Sequence, residues 1–278
     1  MKGSGDSGVD LLVRARSVLL DALDALWDHR DAIIVIGAQA VYLRTGGIDV
    51  ALAEATKDSD VAVDPRRLAS DPLLEAAMRT AGFLPSATAQ PGSWVNAEGI
   101  PVDLMVPEEL AGPGSRGARI PPHDVRATRR ARGLEAALVD CDEMEVPALD
   151  PHDSRVRRVR VAGAAALLVA KLHKIGERVA TPGRLNDKDA HDAYRVLRAV
   201  ETGELSAVFT RLLADELSNT ATREALVYLA ELFASGPAAP GSLMAGRAEE
   251  VVGEPAQVSA AVAILSGDLL TALAPPGP

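Results

Sequence analysis

Residues 33–41 read Ile33-Ile34-Val35-Ile36-Gly37-Ala38-Gln39-Ala40-Val41, and residues 56–61 read Thr56-Lys57-Asp58-Ser59-Asp60-Val61. The first stretch is a short β-branched run stopped by glycine, which reads as a buried strand turning sharply into a helix. Such a turn offers unpaired backbone N–H groups and the positive end of a helix dipole, a setting that favours phosphate. In the second stretch Asp58 and Asp60 stand two apart. On a strand spanning 58–64 both carboxylates point to one side, while Ser59 and Val61 point to the other. Neighbouring like charges are costly unless a cation lies between them, and oxygen-only ligands favour magnesium over zinc.

Working outward, Ile100-Pro101-Val102-Asp103-Leu104-Met105-Val106 carries a lone acid in an alternating apolar strand. Val102, Leu104 and Val106 face a core and Asp103 faces away. If this strand pairs with that of Asp58 and Asp60, three carboxylates converge, the arrangement that metal-assisted phosphoryl transfer uses. Leu12, Ala15, Leu19, Ala22 and Leu26 recur at helical spacing, so an amphipathic helix precedes the first strand. Asp71-Pro72 reads as an N-cap followed by proline at the first helical position, with Gly82 ending that helix.

Beyond residue 110 the spacing predicts a helix over 124–139, strands at 143–147 and 159–161, and a helix over 163–179. Helices follow near 187–200, 203–217, 222–235 and 256–273, with Gly236–Gly241 as a connector. The fold class is therefore α/β (α+β): a mixed sheet with flanking helices over 1–162, then an all-helical domain over 163–278.

Composition narrows the function classes. The net charge of −10 argues against a protein that coats nucleic acid non-specifically. Charge is uneven, however: residues 155–178 hold seven bases and one acid, whereas 201–278 hold ten acids and three bases. The single cysteine, Cys141, excludes an internal disulfide and a multi-cysteine zinc site. No stretch reads as about eighteen consecutive apolar residues, Lys171 interrupting the best run, and the N-terminus lacks the apolar core of a signal peptide. A cytoplasmic protein with no membrane partner is expected. Gly3 to Gly8 spells G-x-G-x-x-G without a preceding strand and is set aside. His173 and Glu177, four apart, read as a solvent-facing pair, since no second histidine completes a zinc motif.

The ordered set of strand, Gly37-Ala38 turn, Asp58-x-Asp60 and later Asp103 resembles the nucleotidyltransferase fold of the polymerase-β type. Within that fold the chain is most similar to the AbiEii-like family of toxin–antitoxin systems. A second match is Lys171, then Arg178, then Lys188-Asp189-x-x-Asp192. The two matches span residues 33–195, and Ala38 stands where the family pattern carries a second glycine or a serine. The resemblance implies transfer of a nucleoside monophosphate from an NTP, with Mg2+ or Mn2+, to an RNA end, tRNA being the favoured acceptor and an antitoxin the expected protein partner. It implies Asp58, Asp60 and Asp103 as catalytic metal ligands, with Gly37, Ala38, Lys171, Lys174, Arg178, Lys188 and Asp189 around the nucleotide.

The residues themselves add to this. Lys171, Lys174 and Arg178 share one helical face beside Leu168, Leu172, Ile175 and Val179. Three cations on one face need an anion, which a triphosphate would supply, Lys171 then compensating charge in the transition state. Asn186 or Asp187 caps the next helix, and Lys188 with Asp192 also fits an exposed pair four apart. Arg155 to Arg160 would meet the acceptor backbone. Two alternatives stay open: a small cationic acceptor of the aminoglycoside type, which the acidic C-terminal third suits, and a non-catalytic nucleotide-binding relative.

Overall fold

The computed structural model describes residues 4–46, 59–88, 90–181, 183, 185–250 and 253–274. The chain falls into two compact units, Met1–Ala40 with Ala55–Ala162, and Val41–Glu54 with Gly163–Pro278. Residues 41–54 thus group with the C-terminal part, and the division falls inside helix α2 (Gly37–Thr45).

Among the described residues of the first unit, eight strands form one mixed sheet. They are β1 (Ile33–Ile36), β2 (Ser59–Val63), β3 (Leu84–Pro85), β4 (Ser93–Val95), β5 (Pro101–Pro107), β6 (Arg129–Ala131), β7 (Cys141–Pro147) and β8 (Val156–Ala162). Their order is β3-β4-β5-β2-β1-β8-β7, with β6 also on β5. β1 runs antiparallel to β2 and parallel to β8, while β2 and β5 are parallel. On its other edge β5 takes two successive partners: β4 along Pro101–Asp103 and β6 along Met105–Pro107. Helix α1 (Ser4–Ala25) lies on one face, where Ala15, Leu19 and Ala22 are fully buried and the Ser59 hydroxyl donates to the Ala15 carbonyl at 3.1 Å. Each leucine so buried stabilises by about 2 kcal/mol.

Two expectations for this unit give way. Helix α3 covers Leu74–Thr80, two residues later than the Asp71-Pro72 start. The free N–H of Leu74 donates to His123 Nδ1 at 3.2 Å, so a histidine distant in sequence, and not Asp71, satisfies that helix end. In place of a helix over 124–139 there are β6 and the short α4 (Glu135–Val139), separated by Gly133 at φ +85°. Glu135 is fully buried and accepts from the N–H groups of Gly133 (2.8 Å) and Glu109 (3.2 Å); burial pushes its carboxyl up from the usual range.

The described part of the second unit is helical: α5 (Ala164–Gly176), α6 (Asp187–Ala199), α7 (Thr202–Ala214), α8 (Asn219–Leu229) with a π turn over Ala230–Ala234, α9 (Pro240–Arg247) and α10 (Pro255–Leu273). Asn186 caps α6, its side chain accepting from the Lys188 N–H at 3.0 Å. A Cβ at Gly176 would lie 2.6 Å from the Tyr228 ring, so glycine is what lets α5 approach α8 so closely. Helix α9 starts in the last two residues of the Gly236–Gly241 connector and continues through residues to which the sequence reading assigned no element. Helix α10 corrects the expectation of no long apolar stretch: its 19 residues satisfy the length and composition of a membrane span. Val258, Val262 and Leu269 are buried within the unit, while Ile264 is 63% exposed.

Candidate functional site

The β2 and β5 registers bring two of the three singled-out acids together. Asp60 pairs directly with Asp103 across the parallel ladder, and Ile36 pairs with Asp60 across the antiparallel one. Directly paired residues project from the same face of a sheet, with Cα atoms on neighbouring strands about 5 Å apart. Asp60 and Asp103 are therefore side by side, on the face opposite Val61, Val102 and Leu104, which are fully buried. Gly37 follows β1 at φ +68°, a left-handed conformation that disfavours other residues. A Cβ there would fall on the Asp60 carboxylate, so the missing side chain is what lets the acid lie against the turn. Ala38, the next residue, is buried at 6% exposure.

Asp58 lies outside the described residues, and among these no group of three or more His, Cys, Asp or Glu is placed to hold a metal. Asp103 has a partner that the sequence did not suggest: Arg129 on β6 donates to its Oδ2 at 3.0 Å, with side chains 24% and 17% exposed. Register explains the meeting, since Arg129 pairs with Met105 and so shares a face with Asp103. The Arg129 Nε–H is buried without a partner. Behind the turn, Arg16 of α1 donates to Gln39 Oε1 (2.8 Å) and to the Pro147 carbonyl (2.9 Å), and burial lowers its guanidinium to about 10. A buried arginine thus holds the start of α2.

The basic face of α5 corrects an expectation. Lys171 is buried, and its ammonium bonds Asp192 at 2.6 Å and Asp189 at 2.9 Å. Lys174 reaches Asp189 at 2.9 Å, and Arg178 stands 4.0 Å from it. The carboxylates of α6 meet these three cations within the unit, so the face carries its own anions. Burial alone would lower the Lys171 ammonium, but Asp192 and Asp189 outweigh it and hold it well above the lysine range. Burial likewise opposes ionisation of Asp189, yet Lys171 and Lys174 hold it well below the carboxylate range. Asp192 is 1% exposed and does not form the expected exposed pair with Lys188, whose ammonium sits 5.6 Å from the Tyr42 ring centroid. Buried Arg195, which the sequence reading passed over, stacks on the same ring and donates to Thr45.

Two further expectations are affected. Arg155 and the arginines of β8 are answered by acids of the same unit: Arg155 by Asp21 and Asp153, Arg157 by Asp24, and Arg158 by Glu143. Arg160 donates to the Asp31 carbonyl and to Cys141 Sγ. His173 is a core residue, 1% exposed, with Nε2 on the Ala221 carbonyl and its ring edge-on to Tyr228.

No protein-family model, curated protein or solved structure matches the chain. Arg129 and Arg16, which the sequence reading missed along with Arg195, meet their partners across 26 and 23 positions, and a register, which only pairing fixes, is the signal that would have found Arg129.

Proposed function

We propose that the chain is a metal-dependent nucleotidyltransferase whose working site is the Asp60–Asp103 face of the sheet beside Gly37. The observation carrying this reading is the direct register of two acids on one face next to a left-handed glycine at a strand-to-helix turn. Two hard carboxylates on adjacent parallel strands are a donor set that suits a magnesium ion, so Asp60 and Asp103, with Asp58, would hold it. Such an ion, once bound, polarises the phosphoryl oxygens and neutralises charge that develops on them. The remaining work falls to the chain. The Gly37 turn and the first N–H groups of α2 receive the phosphates. Asp103 Oδ1, which has no hydrogen-bond partner among the described residues, accepts the proton of the acceptor hydroxyl. The hydroxyl oxygen bonds to the α-phosphorus, the bond between the α-phosphorus and its bridging oxygen breaks, and pyrophosphate leaves. An RNA end, tRNA foremost, is the proposed acceptor, and the resemblance to toxin–antitoxin proteins supports an antitoxin as partner.

Incubation with each of the four α-labelled NTPs, magnesium and total tRNA tests this. Transfer of label that disappears in Asp60→Ala and Asp103→Ala is the expected result. No transfer with any NTP, or transfer undiminished in both variants, overturns it. The Arg129–Asp103 ion pair favours a second reading, in which a guanidinium takes the place of the metal and the chain binds nucleotide without turnover. Saturable NTP binding with no product, insensitive to magnesium, would favour that reading.

A further inference from the structure

The helical unit contains a pocket of about 540 Å³ that plays no part in the reading above, within the roughly 300–1,000 Å³ of small-molecule sites. Tyr194 and Arg198 of α6 line it together with Glu249 and Glu254, which flank the start of α10. Helix α10 supplies an apolar wall of Val258, Ala261, Ile264 and Leu265. Ile264 is 63% exposed, so this wall opens to solvent.

Glu249 sets the chemistry. It is more than nine-tenths buried, and its Oε1 accepts from His191 Nε2 at 2.7 Å, His191 itself being 1% exposed. The other oxygen, Oε2, has no hydrogen-bond partner among the described residues and is not closed off from solvent, so it can accept from a ligand donor. Gly253 lies so close to Oε2 that a Cβ there would fall on it, so only glycine leaves that oxygen its space. Arg198 is engaged by the Tyr194 hydroxyl, and burial followed by the negative charge of Glu249 pushes that phenol up. The pocket thus presents two carboxylates and one guanidinium, a net negative lining. An anion would be repelled, and a hydrated metal ion would waste the apolar wall.

We propose that this pocket binds a small amphipathic amine, its ammonium donating to Glu249 Oε2 and its aliphatic or aromatic body lying on Val258, Ile264 and Leu265. The site lies wholly in the helical unit and does not depend on the transferase reading.

Titration of the full chain by calorimetry with phenethylammonium, 2-phenylethanol and 3-phenylpropionate tests the proposal. The amine should saturate with a Kd at least about tenfold below that of the alcohol, the difference expected for a charge-assisted hydrogen bond, and the carboxylate should not saturate. Glu249→Gln should weaken amine binding by about tenfold or more. Because that change also touches His191, Ala261→Phe provides an independent check: it fills the pocket from the α10 wall, leaves the His191–Glu249 pair in place, and should abolish binding. Absence of saturation by the amine at millimolar concentration, equal binding of all three probes, or full binding in a folded Ala261→Phe protein would each overturn it.

Discussion

Two clusters of charge looked alike in the sequence, and burial sets them apart. On the sheet, Asp60 and Asp103 are partly exposed, and the Asp103 carboxylate has one arginine on a single oxygen. Between α5 and α6, Lys171, Asp189 and Asp192 are each at most 6% exposed and bonded to one another. The two sheet acids remain partly open to solvent, whereas the triad is buried and mutually neutralised. Charged residues at motif-like spacing do not distinguish the two cases; the element packed against them does.

The largest expected effect tests that contrast directly. Lys171→Ala leaves two buried carboxylates with less compensation and should cost about 3–5 kcal/mol in urea denaturation, whereas Asp60→Asn should change stability by less than about 1 kcal/mol. Equal effects would erase the distinction. Next in size is Gly37→Ala, where a positive φ and the Asp60 carboxylate both oppose a Cβ. A loss of about 1–3 kcal/mol is expected, together with loss of any label transfer.

Acid should separate the units in order. His123 accepts the Leu74 N–H through Nδ1, donates through Nε2 to the Ala69 carbonyl, and burial lowers its basicity. Its folded value lies below its unfolded one, so its contribution is complete above the unfolded value of about 6.5 and is lost as pH falls through the folded one. The α5–α6 triad behaves differently. The depressed Asp189 keeps its contribution down to the unfolded carboxylate value of about 4, and the raised Lys171 keeps its own up to the unfolded lysine value of about 10. Both tryptophans, Trp27 and Trp94, belong to the first unit, so their fluorescence reports that unit alone. Denaturation followed by fluorescence should weaken between pH 7 and 5 while the helical circular dichroism transition holds. His123→Gln should flatten the fluorescence trend, and coincident transitions across this range would refute the ordering. The smallest effect belongs to Arg158→Ala, whose pair with Glu143 is 72% and 60% exposed: less than about 0.5 kcal/mol in the same denaturation assay.

Much of the fold was legible where one element's own pattern decides it. The β1 run ending at Gly37 and the alternation around Asp60 and Asp103 gave three strands in nearly their final bounds, because one buried face imposes a period of two. Strands β3, β4 and β6 are two or three residues long and carry no period to read. Helix α9 begins at a proline and holds two glycines, the composition of a connector, yet Gly241 and Gly246 lie where Phe233 and Pro255 leave no room for a side chain. The site was half legible. The acids stood out as polar residues in apolar strands, but their partners did not, since Arg129 and the α6 carboxylates come from other elements. A pattern four residues apart on one helix suggested Lys188 for Asp192, when the true partner was on the helix packed against it.

The shared edge of β5 has a consequence for what the sheet can tolerate. Its neighbour changes from β4 to β6 around Leu104, immediately after Asp103, with the Leu104 N–H reaching the Gly92 carbonyl across the junction. A sheet can lengthen, shorten or exchange the hairpin at such a seam without unzipping its interior ladder. Asp103 is anchored on the β2 side of the strand while the material beside it stays replaceable, so the face that carries the two acids can keep its ladder while the loops next to it change.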